Sequence, residues 1–365
     1  MKNVIKLTLV LLTSLSIGFS ANAGVLEVTG TAKATYNIAG SDSATGKNDT
    51  GKGIGITNEL AFTGTGELDN GWTWKYQVEL DDNVAGNTTS DDTRLEVTTP
   101  YGTVAAYNTE GSLSTKYKYS QAAYGAGSDN GNSGAMNYGQ SIDSFNNIQF
   151  HTPADLLPFG LTAKAAFAPS ATTSKNSGNA TGAQSSTANG QSAQQFQVTA
   201  EPIANLVVGA SYFEKDKERG IQGYESGGYY ATYEIGSFTL GAGEHFVSNN
   251  ILTTTTQATT LAISTAADQL LAKGFENKMM SIGFAVNDSL SLSIDSEKSE
   301  AQKRTIVLGT TADTDSGVEM DIQTLQAAYT MGGMTLSISA KDIENADYAL
   351  GADEKETLFV VSMAF

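Results

Sequence analysis

Downstream of Val25, apolar and polar side chains alternate in short runs, parted by stretches rich in Gly, Asn, Asp and Ser. In the first run, Val25 to Ile38, Leu26, Val28, Ala32, Ala34, Tyr36 and Ile38 share one parity. Glu27, Thr29, Thr31, Lys33, Thr35 and Asn37 hold the other. A period of two sends successive side chains to opposite faces of a strand, so each run predicts a strand with one apolar and one polar face. A second strand ends near Thr65, and Glu67-Leu68-Asp69-Asn70-Gly71 makes a tight turn whose Asn-Gly suits positive φ. The third, Trp72 to Leu80, puts Trp74, Tyr76, Val78 and Leu80 on one face and Lys75, Gln77 and Glu79 on the other. The alternation continues over Arg94–Thr99, Thr103–Thr109, Phe145–Thr152, Leu161–Pro169, Ala193–Ala200, Leu206–Phe213 and Gly223–Glu234. It resumes over Ser237–Val247, Gly274–Val286, Ser289–Glu297, Val318–Thr330, Met334–Lys341 and Glu356–Phe365, about 16 strands in all.

The connections alternate in length. Short turns fall at 69–71, 100–102, 201–205, 235–236, 287–288 and 332–333. Long polar loops fall at 41–52, 82–91, 170–192, 249–273 and 302–317. Short turns at one end and long loops at the other mark a transmembrane β-barrel, with the turns periplasmic and the loops external. A soluble β-solenoid or sandwich shares the composition, and low-complexity stretches such as 170–194 can also be read as linkers between domains. The two ends of the chain favour the barrel. Lys2 and Lys6, the apolar stretch Leu7 to Phe19 and Ala21-Asn22-Ala23 have the layout of a secretory signal over residues 1–23, which leaves a single barrel domain over 24–365. A lone membrane helix is the competing reading of that segment, but the run is short and has no stop-transfer charges after it. In the last strand, Phe359, Val361, Met363 and Phe365 share one face. These four are the expected closure strand, and no later tail covers them.

Composition narrows the chemistry. The formal charge is −18 and falls by two more once Lys2 and Lys6 are removed. So acidic a chain is not a nucleic-acid binder. Without Cys, closure must come from something other than disulfides, and a sealed barrel supplies it by hydrogen-bonding every strand edge. Two His, His151 and His245, are too few and too ordinary in context to signal a hydrolase, and no enzyme signature is present. The acidic runs Asp81-Asp82, Asp91-Asp92 and Asp313-x-Asp315-x-Gly317-x-Glu319 offer oxygen ligands of the type calcium takes, without the full ligand loop. The expectation is no cofactor and at most loosely bound calcium.

Three segments resemble the general Gram-negative outer-membrane porins, the trimeric diffusion porins. Ile56 to Glu79, ITNELAFTGTGELDNGWTWKYQVE, is similar to their second hairpin. Pro100-Tyr101-Gly102-Thr103-Val104 is similar to the turn that opens their fifth strand. Phe145-Asn146-Asn147-Ile148-Gln149-Phe150-His151-Thr152-Pro153 is similar to their sixth strand, and Phe159-Gly160-Leu161 fits its return. The likeness covers about Gly24 to Ser170 and the last strand. It implies an all-β, 16-stranded antiparallel transmembrane barrel in the outer membrane, and a homotrimer surrounded by outer-membrane lipid.

The resemblance also implies that the segment Glu110 to Ser144 is a third loop folded into the barrel to narrow it, with acidic groups facing basic groups on the wall. The loop offers Glu110, Lys116, Lys118, Asp129 and Asp143. The inferred inward parity of the wall offers Lys33, Lys75, Glu79, Arg94 and Glu96, besides Glu27. An ordinary external loop is the plainer reading of this segment. A slip of one residue in register would also turn the wall residues outward. Where family members often carry Arg, this chain has Ala105 and Asn108, which weakens the expected basic ladder. The function so implied is passive diffusion of small hydrophilic solutes and ions, with a cation preference suggested by the acidic excess. The alternative is a non-conducting barrel that serves as adhesin, receptor or structural protein.

Overall fold

The computed structural model describes residues 24–365 apart from 43–47, 84–86, 132–133, 155, 172–191, 217–222, 249–267 and 308–313. The proposed signal segment 1–23 lies outside the described residues. The strands are β1 (Val25–Asp42), β2 (Asn48–Glu67), β3 (Thr73–Asn83), β4 (Asn87–Thr99), β5 (Gly102–Asn108), β6 (Asn147–His151), β7 (Thr162–Ala168) and β8 (Ala193–Ile203). They continue as β9 (Leu206–Lys215), β10 (Tyr224–Ile235), β11 (Phe238–Ser248), β12 (Asp268–Ala285), β13 (Leu290–Val307), β14 (Thr314–Met331), β15 (Met334–Glu344) and β16 (Asp353–Ala364). Each is antiparallel to its neighbours in sequence, and β1 pairs with β16 to close the ring. The expected 16-stranded antiparallel barrel is the fold.

Closure follows from the last strand. Asn37 lies opposite Leu358, Lys33 opposite Ser362 and Thr31 opposite Ala364. Gly30 and Phe365 exchange a pair of backbone hydrogen bonds of 2.8 and 3.0 Å. Phe359, Val361, Met363 and Phe365 all point outward, as do Tyr36, Tyr76 and Leu95 from the opening strands. Inside the seam, Asn37 donates a hydrogen bond to Glu356. Outward apolar and inward polar positions therefore alternate as a barrel wall in lipid requires.

The polar loops expected at 41–52, 82–91 and 302–317 are largely strand instead. β1 runs to Asp42 and β2 begins at Asn48, β3 runs to Asn83, and β13 runs to Val307. The physical reason can be seen on β13 and its neighbours. There the wall continues beyond its apolar band, and outward side chains become charged: Lys298 pairs with Glu319 at 3.0 Å and with Asp321 at 2.6 Å, and Gln302 donates to Glu276 at 3.1 Å. Both faces are then polar, and the period of two that betrays a strand disappears.

Candidate pore constriction

The segment from Thr109 to Asn146 leaves the wall after β5, enters the barrel and returns at β6, so it is an inward loop and not an external one. Two short turns, Gly127–Asp129 and Ile142–Ser144, are its helical elements. It makes two passes along one side of the lumen. On the way out, Thr115 Oγ1 bonds the Gly228 carbonyl at 3.2 Å, the Gln121 N–H bonds Ser281 Oγ at 2.8 Å, and the Tyr124 N–H bonds Gln326 Oε1 at 3.2 Å. On the way back, Asn277 donates to the Asn137 carbonyl at 2.9 Å, the Gln140 N–H bonds Tyr224 Oη at 2.6 Å, and the Ile142 N–H bonds Gln195 Oε1 at 2.9 Å. The loop thus covers the wall from β8 to β16.

Small residues allow the loop to lie flat. A β-carbon on Gly241 of the wall would sit 1.8 Å from the Tyr119 carbonyl oxygen. One on Gly127 of the loop would sit 2.0 Å from Thr324 Oγ1. Neither position has room for a side chain.

The covered wall carries buried charges that act as anchors. Glu297 is fully buried and accepts hydrogen bonds from the Tyr119 hydroxyl and from the backbone and hydroxyl of Ser128. Asp295 accepts from Ser120 and Ser281. At the tip of the loop, Lys341 Nζ donates to the Gly127 and Asn130 carbonyls at 3.0 and 2.6 Å and pairs with Glu356 at 2.9 Å; both side chains are 1% exposed. Burial and the nearby Glu297 carboxylate hold the Tyr119 hydroxyl far above the ordinary phenol range, so it stays a donor.

The wall from β1 to β7 differs, meeting the loop mainly near its two ends, where Asn147 and Gln149 donate to the Glu110 and Gly111 carbonyls. Arg94 donates to Gln77 and pairs with Glu110 at 2.8 Å, with Glu79 at 4.0 Å. Tyr107 Oη donates to Glu96 at 2.9 Å. Glu110, half-buried at the root of the loop, is pushed up to about 7. Burial is the main cause, Arg94 opposes it, and the carboxylates Glu79, Asp92 and Glu96 add to it. Lys33 extends inward from β1 with its ammonium 5.3 Å from the centre of the Tyr124 ring.

The sequence-derived loop and wall residues are thereby placed. Glu110 meets Arg94, and Asp129 is hydrogen-bonded by Tyr117 within Coulombic reach of Lys116 and Lys33. Lys116 Nζ lies over the Tyr117 ring at 4.7 Å. Lys118 is exposed on the loop, and Asp143 is half-buried in the returning pass, away from this group. Lys75 shares the inward parity of Gln77 and stands opposite Glu96. Ala105, where family members often carry Arg, is buried between Glu96 and Gln149. His151 bonds Gln149 at 2.8 Å, and His245 packs edge-on against Tyr138 beneath the loop. Among the described residues no group of three His, Cys, Asp or Glu side chains gathers as metal ligands.

Sequence reasoning missed Asp295, Glu297, Lys341, Glu356 and the inward Lys164 of β7. Their signal was available in part: each is a charged residue on the inward parity of a strand, where a lumen-facing group and a loop anchor look alike.

A closed barrel with an apolar exterior and an internal loop that narrows it defines an outer-membrane channel protein. The Gram-negative porin family model matches residues 8–275, and the chain belongs to that family. The outer membrane is its location. A search of the curated proteins finds no match. Solved structures share the fold at low identity. An anion-selective porin from Comamonas acidovorans is 13% identical, covers 93% of this chain and 100% of its own, and has a TM-score of 0.61. OmpF of Salmonella typhi, in complex with daunomycin, is 14% identical over 95% of this chain and 100% of its own, at 0.60. OmpT, an outer membrane protein of Vibrio cholerae, in its trimer form, is 11% identical over 94% and 100%, at 0.54.

Proposed function

We propose that this porin is a passive, non-enzymatic channel for small hydrophilic solutes and ions, assembled as a homotrimer. The observation that carries the reading is the inward loop: it is fastened to one half of the wall and leaves a passage bounded by the other half. Lys116, Lys118 and Asp129 of the loop and Lys33, Lys75, Glu79 and Glu96 of the wall would then border that passage, with Glu110 ion-paired to Arg94 at the root of the loop and Asp143 further back. A related barrel with a trimer form supports the assembly.

The cation preference expected from net charge finds little support in the lumen. Asp295, Glu297 and Glu356 are buried under the loop, Glu79 and Glu110 are held by Arg94, and Glu96 is bonded by Tyr107. The loosely bound calcium expected from the sequence would fall on the acidic runs at 81–82, 91–92 and 313–319, most of whose side chains lie outside the described residues.

Single-channel recording of the refolded protein in a planar bilayer under a salt gradient tests the proposal. Stepwise openings in threes are expected, and the reversal potential reads the charge preference. A folded barrel that never conducts would leave the adhesin, receptor or structural reading in its place.

A further inference from the structure

The outer face of the wall is not evenly clad. From β8 to β12 its outward positions include the large apolar side chains Phe196, Tyr212, Tyr233, Leu240 and Ile282. Among these, four alanines on consecutive strands, Ala200 of β8, Ala210 of β9, Ala231 of β10 and Ala242 of β11, open a groove of about 850 Å³ that Tyr229 and Met280 also line. The register sets these residues side by side, with Ala210 opposite Tyr229, Ala231 opposite Ala242, and Ala242 opposite Met280. The groove therefore runs across the strands. An unfilled hollow forfeits the dispersion contacts of its lining, and in a membrane a hydrocarbon chain is at hand to restore them.

One end of the groove is charged. Lys278 of β12 and Lys298 of β13 line it there and stand directly opposite each other. They lie on the long-loop side of Met280 and Ser296, at the outer edge of the apolar band. Like charges directly opposite on neighbouring strands repel. Lys298 is held by Glu319 and Asp321, whereas Lys278 has no hydrogen bond or ion pair among the described residues. Glu244, opposite Lys278 on β11, accepts from the Tyr229 hydroxyl, and Glu276 accepts from Gln302. From Lys278 on β12 to Ala210 on β9 is three strand spacings, about 15 Å, or half the thickness of a bilayer's hydrocarbon core. A charged head and an apolar trough of one leaflet's depth fit a single lipid.

We propose that this groove is a site for one outer-leaflet lipid with a net-anionic phosphate head group, its acyl chain over the alanines and its phosphate on the Lys278 ammonium. The chain follows a hollow that the convex wall of a second barrel cannot enter, and the phosphate supplies the anion that Lys278 lacks. The site is on the far side of the wall from the lumen, so it stands whether or not the channel conducts.

Native mass spectrometry of the refolded full barrel, offered equal amounts of phosphatidylglycerol and phosphatidylcholine with the same chains, is the test. One phosphatidylglycerol per chain is expected to stay bound, in preference to phosphatidylcholine. Lys278→Gln is expected to lower that preference about fivefold. An Ala231→Phe, Ala242→Phe double variant, whose rings fill the groove from the lipid side, is expected to hold about tenfold less of either lipid. Lys52→Gln, which removes an exterior lysine of β2 away from the groove, serves as control and is expected to match the native protein. A native protein that holds no more lipid than the double variant overturns the site. An unchanged preference in Lys278→Gln overturns the assignment of the phosphate, and with it the proposal. A dimer that the double variant abolishes, found in place of bound lipid, gives the groove to a second copy and overturns it as well.

Discussion

The two halves of the lumen wall use similar residue types to different ends. From β8 to β16 Asp295, Glu297, Glu356 and Lys341 are sealed beneath the loop, and each is hydrogen-bonded to it or to a wall neighbour. From β1 to β7 the charges are partly exposed and face the passage. A buried charge is retained only if its partners satisfy it, so the first half is unforgiving. An exposed ion pair contributes little to stability, so the second half is free to vary in charge. Burial, more than residue type, separates fastening from selection.

Lys341→Ala breaks this division most severely. It leaves Glu356 buried without its cation and two carbonyls of the loop tip without a donor. A loss of about 3–5 kcal/mol is expected, read as a lower urea midpoint and as proteolytic cleavage near Gly127–Asn130. An unchanged midpoint would show that the pair is not an anchor. Gly241→Ala comes next. The added methyl collides with the Tyr119 carbonyl, and about 1–3 kcal/mol of overpacking should appear as noisier and larger single-channel steps. Glu297→Gln keeps the shape but weakens two of three hydrogen bonds, for about 1–2 kcal/mol by the same urea titration.

On the open half, Arg94→Gln should cost less than about 1 kcal/mol while shifting the reversal potential toward cations. Equal losses for Arg94→Gln and Lys341→Ala would erase the contrast between the halves.

The smallest expected effect is a pH dependence. Glu110, its pKa raised to about 7 chiefly by burial, binds a proton in the folded protein at a pH where the unfolded chain does not. Its contribution to stability is therefore full below the ordinary glutamate range, near 4.5, and lost as pH rises through 7. In function the sign is the same: below 7 the carboxyl is neutral, Arg94 is less compensated, and selectivity moves toward anions. A reversal potential that is flat between pH 8 and 6, or an equal shift in Glu110→Gln, would refute this.

The strands were legible because a wall between lipid and water imposes a period of two, and the parity of Lys33, Lys75, Arg94 and Glu96 followed from it. Legibility ended where both faces became polar, which is why the outer ends of β3 and β13 read as loop. It ended again inside the barrel. Nothing in the local pattern of Glu297 or Lys341 distinguishes a side chain facing water from one lying under a loop almost 170 to more than 210 residues away in sequence. The importance of Gly241 was hidden for the same reason, since a glycine in a strand reads as a weakness unless something lies against it.

The seam between β1 and β16 has a consequence for how the molecule comes together. Asn37, Lys341 and Glu356 belong to three neighbouring strands, two of them from opposite ends of the chain, and the loop tip rests on the group they form. Asn37 and Glu356 are 319 residues apart, and joining ends so distant costs about 5 kcal/mol in chain entropy. The complete cradle for the tip therefore does not exist until the ring has shut. Seating of the loop becomes a late event in biogenesis, and its protease resistance becomes a clock for barrel completion.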